Sequence, residues 1–137
     1  MDLAEMRRRL GEARVGRLAT VSRDDRPHVV ALCLALADDV IYSAVDQKPK
    51  STRRLKRLDN ILAHPAVSLL VDHYQEDWSR LWWVRVDGMA EIYDEGPQWE
   101  RGVQSLGAKY EQYRTDPPRG PVIAVTPHRW RGWAAGG

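Results

Sequence analysis

The chain has 137 residues, 43% hydrophobic and 29% charged content, and a formal net charge of +2, a balance that predicts one soluble globular domain over residues 1–137. So small a net charge gives no reason to expect nucleic acid or an anionic membrane as partner. No stretch approaches the ~18 apolar residues that cross a bilayer; the lone Cys33 rules out an internal disulfide, and the N-terminus has no apolar signal segment, so the cytoplasm is the expected compartment.

Leu3, Met6, Leu10 and Ala13 form one apolar stripe at helical spacing, which predicts an opening helix with Arg7, Arg8 and Arg9 on its solvated face. Gly16 marks a change of period. Two β-rich stretches follow, Val15 to Ser22 and His28 to Leu36, and the residues between them, Arg23-Asp-Asp-Arg-Pro27, supply turn chemistry for a hairpin. Asp38-Asp39 makes a second turn before a third strand, Val40 to Val45.

Beyond Pro49 the period becomes helical, with Leu55, Leu58, Ile61 and Leu62 on one face, Ser51 or Thr52 as cap, and His64-Pro65 as the stop. Ala66 to Asp72 is short and apolar enough for a central strand. A polar aromatic loop, His73 to Arg80, leads into a long strand from Leu81 to Tyr93, where Gly88 predicts a bulge or a close approach. Gly96 to Tyr113 fits a further amphipathic helix through Trp99, Val103, Leu106 and Tyr110. Pro121 to Thr126 closes the sheet, and Arg129-Trp-Arg-Gly-Trp133 forms a basic aromatic tail. With hairpin connections dominating, the order argues for a mostly antiparallel barrel with packed helices.

The strongest chemical signal is the strand-to-helix junction. Six basic residues and no acid occupy positions 48–57, where a helix start adds unpaired N–H groups and the positive end of its dipole. Such a junction suits a multiply charged anion, although a basic helix face is often only a solvated surface. The same charges, with Trp78, Trp82, Trp83, Trp130 and Trp133, would serve base stacking, but no nucleic-acid-binding motif accompanies them. The four histidines, His28, His64, His73 and His128, lack metal-ligand spacing, and no nucleophile elbow or dinucleotide glycine signature is present. No metal and no catalytic side chain is therefore expected.

Gly16-Arg-Leu-Ala-Thr-Val-Ser22 with Arg26-Pro-His-Val-Val30, then Lys48-Pro-Lys50 opening a helix that runs to His64-Pro-Ala-Val-Ser-Leu-Leu-Val-Asp72, then Val84-Arg-Val-Asp-Gly-Met-Ala90, resemble the successive motifs of split-barrel oxidoreductases related to pyridoxamine phosphate oxidase. Asp72 to Trp83 and the ending Thr126 to Trp133 resemble a deazaflavin (coenzyme F-420) group within that superfamily. The resemblance implies an α+β fold, a six-stranded antiparallel split β-barrel of the FMN-binding type with flanking helices. It further implies a homodimer with the cofactor groove at its interface, and hydride transfer from reduced F-420 to a small conjugated substrate. By position it makes Lys48, Lys50, Ser51 and Thr52 contacts for the phosphate or tail, with Arg54 and Arg57 as further candidates. Ala19, Thr20 and Val30 to Leu32 would line the ring, and Trp78, Trp130 and Trp133 would cover it. Tyr74, His73 and Asp77 are candidate proton donors. The short chain shows no evident pyridoxal-phosphate-binding extension, so pyridoxamine phosphate oxidase activity itself is not expected. The alternatives are an FMN-dependent oxidase or reductase of the same fold, or a non-catalytic cofactor- or haem-binding protein; the cation cluster favours the deazaflavin, whose tail adds glutamates to the phosphate.

Overall fold

The computed structural model describes residues 1–45 and 55–136. Helix α1 (Leu3–Glu12) starts on Asp2, whose side chain accepts the Glu5 N–H at 2.9 Å, and it buries Met6 and Leu10. Its arginines are more engaged than a solvated face requires. Arg7 reaches Asp39 at 2.9 Å and lies over the Trp130 ring, while Arg9 pairs with Glu5 and lies 4.9 Å from the centre of the Trp82 ring.

The hairpin β1 (Gly16–Val21) and β2 (Pro27–Leu32) forms as the turn residues predict, with Asp25 at φ 62°. The short polar side chain of Asp tolerates that left-handed conformation. Strands β3 (Ala35–Ala37) and β4 (Val40–Ala44) make the second hairpin around Asp38, and α2 (Lys56–Ala63) follows with Leu55 at its N-cap. Next come β5 (Ala66–His73), a 3-10 turn (Trp78–Arg80), β6 (Trp82–Tyr93), α3 (Pro97–Lys109), α4 (Glu111–Thr115) and β7 (Val122–Ala134).

All ladders are antiparallel, in the order β2-β1-β5-β6-β7-β4-β3. Among the described residues the sheet therefore has seven strands, not the expected six. The run from His28 to Leu36 is two strands, because the chain leaves β1 after Leu32 and pairs with β4 after Leu34, at the opposite edge. Leu34 is fully buried, and its backbone is satisfied by the next helices: its N–H donates to the Tyr110 hydroxyl at 3.1 Å and its carbonyl accepts from Lys109 Nζ at 2.7 Å. Two consecutive strands thus lie at the two edges of one curled sheet, which makes a split barrel.

The same clasp divides the predicted helix from Gly96 to Tyr113. Tyr110 is extended, at φ −110° and ψ 121°, so α3 ends before it and α4 begins after it. The predicted tail, in contrast, is not separate from the last strand: β7 runs unbroken through Trp133 and pairs with both β6 and β4. Inside the curl, Leu18, Leu69, Val71, Val84, Val86, Ile41 and Ile123 form the core with Leu10 of α1 and Leu58 and Ile61 of α2. Asn60 is buried with them and donates to the Thr20 hydroxyl at 3.0 Å, tying α2 to β1.

Candidate functional site

Alternation along a strand sends successive side chains to opposite faces. On β1 the inner set is Leu18 and Thr20, and Arg17, Ala19 and Val21 point outward. Outward on β2 are Pro27, Val29 and Ala31; on β5, Ala66, Ser68, Leu70 and Asp72. Cross-strand register then arranges the outer face in rows. One row is Ala31, Arg17, Leu70, Arg85 and Arg131; the next is Val29, Ala19, Ser68, Asp87 and Arg129. A third is Asp72, Trp83 and Trp133.

Among the described residues this face keeps large apolar side chains exposed. Val29 is 62% exposed, Met89 46% and Trp133 44%. Exposed apolar side chains interleaved with arginines mark a binding surface. It holds an open groove of about 430 Å³, whose floor is Ala19, Leu70 and Val29 and whose rim carries Arg17, Tyr74, Trp83 and Arg85. A second hollow of about 300 Å³ adjoins it, sharing Ala19 and Ser68 and reaching His128.

The charges on the face are partly spent. Arg17 pairs with Asp72 at 3.4 Å, an exposed contact worth about 0–1 kcal/mol. Asp87 accepts from the Ser68 hydroxyl at 2.7 Å and lies 3.3 Å from Arg85 Nε. In the adjoining loop, hydrogen bonds from the Ser79 hydroxyl and backbone N–H hold the Asp77 carboxyl below the usual carboxylate range, so Asp77 stays ionised at neutral pH. His73 Nε2 lies 2.6 Å from Gln75 Oε1. Of the three candidate donors, Tyr74 is the one that lines the groove.

Of the residues singled out in the sequence, Lys48, Lys50, Ser51, Thr52 and Arg54 lie outside the described residues. Arg57 stands in the first turn of α2, where burial lowers its pKa and Tyr113 opposes the effect. Trp133 lies on the outer face opposite Trp83, and Trp78 is 75% exposed on the 3-10 turn. Trp130 is on the other face, packed against the core beneath Arg7. Ala19 and Ala31 face outward, whereas Thr20, Val30 and Leu32 face inward. Among the described residues no group of three or more His, Cys, Asp or Glu is placed to hold a metal ion.

Sequence reading did not single out Arg17, Leu70, Arg85 or Arg131 as site residues, and weighed Trp83 only for base stacking. The available signal was strand β5, which is apolar at both alternating positions, Val67, Leu69 and Val71 inward and Ala66 and Leu70 outward. A strand with two apolar faces needs cover on both.

A curled antiparallel sheet with its edges on consecutive strands and helices packed on its core defines the split-barrel fold. The chain belongs to the pyridoxamine 5′-phosphate oxidase family, whose model matches residues 3–134. Among solved structures it is similar to a conserved hypothetical protein, Rv2991, from Mycobacterium tuberculosis, at 24% identity and TM-score 0.79, covering 98% of this chain and 85% of that one. It is also similar to a haem-binding protein from Mycobacterium smegmatis, at 18% identity and TM-score 0.77, covering 97% of this chain and 54% of that one. An F-420 reductase is similar at 26% identity and TM-score 0.67, covering 90% of this chain and 94% of that one. No curated protein gives a match. No helix among the described residues is long and apolar enough to cross a membrane.

Proposed function

We infer that this protein is a coenzyme F-420-dependent oxidoreductase that works as a homodimer, the two outer sheet faces meeting around the cofactor. The observation that carries the reading is the uncovered face itself: an apolar floor of Ala19, Val29 and Leu70 beneath a groove of about 430 Å³, rimmed by arginine and tryptophan. A flat ring needs such a floor, and a second copy supplies the missing cover. Family membership and the similarity to an F-420 reductase support the choice of cofactor.

The residues at hand fit that group. Ala19, Leu70 and Val29 exclude water from one side of a ring, Trp83 and Trp133 offer indole surfaces at its edge, and the cations of positions 48–57 lie where the sequence joins β4 to α2. Lys48, Lys50, Ser51 and Thr52, with Arg54 and Arg57, would then hold the phosphate and glutamate tail through charge-assisted hydrogen bonds. When bound, the deazaflavin supplies a hydride to a conjugated acceptor, which takes its proton from solvent or from Tyr74. No protein nucleophile takes part.

The test is a titration of the purified protein with F-420, FMN and haem in parallel, followed by fluorescence and absorbance. Tightest binding is expected for F-420, and Lys50→Ala should weaken it by about 1–3 kcal/mol through loss of a charged contact. Tighter binding of FMN or haem, or binding of none of the three, would overturn the reading.

A further inference from the structure

On the outer face, Arg85 stands directly opposite Arg131 across the β6–β7 ladder. Like charges in a direct cross-strand pair weaken a sheet. Local compensation falls short. In these two rows β6 and β7 present Arg85, Arg129 and Arg131 with one carboxylate, Asp87, whose Oδ1 already accepts from Ser68. Arg85 Nε lies 3.3 Å from that oxygen without hydrogen-bond alignment, and it is buried with its N–H unspent. The nearest other acid in the rows, Asp72, is paired with Arg17. Beside the arginines, in the next row, Trp83 faces Trp133. Guanidinium forks match a carboxylate, and indoles match a planar π-system.

We propose that Arg85 and Arg131 recognise the carboxylate of a planar, conjugated acceptor whose unsaturated part lies along Trp83 and Trp133. The proposal deepens the function inferred above and rests on it for the ligand's role as acceptor. Arg85 also lines the groove assigned to the ring, so a carboxylate held there places the conjugated bond next to the cofactor site.

Calorimetric titration of the full chain with trans-cinnamate and with cinnamamide tests it. Cinnamate should bind roughly tenfold tighter than the uncharged amide, the scale of one charge-assisted contact. Arg131→Gln should bring the two affinities together without changing that of the amide. Arg23→Gln, which removes the same charge from the exposed β1–β2 turn, should leave the preference intact. Equal affinities in the unaltered protein, a preference that survives Arg131→Gln, or a change in self-association caused by Arg131→Gln would each overturn the proposal. No deazaflavin is needed for this measurement, so it reads out even where F-420 fails to bind. Conversely, F-420 binding without a preference for the acid sinks the carboxylate site alone.

Discussion

At Gly88 the sheet leaves no room for a side chain: a Cβ would stand 2.5 Å from the Thr126 carbonyl oxygen on β7. The β6–β7 register shifts between Asp87 and Gly88, so this glycine is where the long ladder changes step. Gly88→Ala should destabilise the fold by about 2–3 kcal/mol, because the obstacle is backbone and cannot rotate away; an unchanged urea midpoint would show that the ladder yields. This position was legible beforehand, since a lone glycine inside a strand pattern has few other uses. The two tryptophans of the last strand were not. Trp130 and Trp133 look alike in a basic aromatic segment, but an odd spacing along a strand sends them to opposite faces, and only the strand assignment of that segment separates the one on the core from the one on the groove.

Among the elements, the break between β2 and β3 depends on α3 and α4. Lys109 Nζ donates to the carbonyls of Leu34 and Ala13, and the Tyr110 hydroxyl meets both Leu34 and Arg14. Burial, assisted by the Arg14 charge and opposed by Cys33, lowers the Lys109 pKa from 10.5 to about 8. The unfolded chain thus binds more protons than the folded one above pH 8, and stability contributed by this group rises with pH through that interval. Burial raises the Tyr110 pKa, which acts in the opposite direction above about pH 10. Between pH 8 and 9.5 the difference in urea midpoint between the unaltered protein and Lys109→Met should therefore increase; a flat difference would place the lysine in water. Sequence periodicity missed this arrangement because the run from His28 to Leu36 is continuously apolar and carries no turn residue. What divides it is contact with helices about 75 residues further along.

For the whole molecule, the alternation of helices and hairpin-linked strands was enough to read the barrel class, and the family match bears that out. The number of strands and the identity of the outer-face residues depended on register, which pairs β1 with β5 and β4 with β7 across long stretches of chain. The proposed dimer belongs to this scale. Val29→Glu puts a charge on the outer face, in the exposed edge strand β2, without touching the core, so circular dichroism should stay the same while sedimentation shifts from dimer to monomer. A dimer that persists in this variant would move the contact elsewhere.

One feature of the topology bears on how the protein comes into being. Among the described residues β7 is the strand that joins β6 to β4, and it follows both in the chain. During synthesis β6 and β4 each keep an open edge until β7 has left the ribosome. Because β7 also carries Arg131 and Trp133, closing the sheet and placing those two side chains on its outer face are one and the same step.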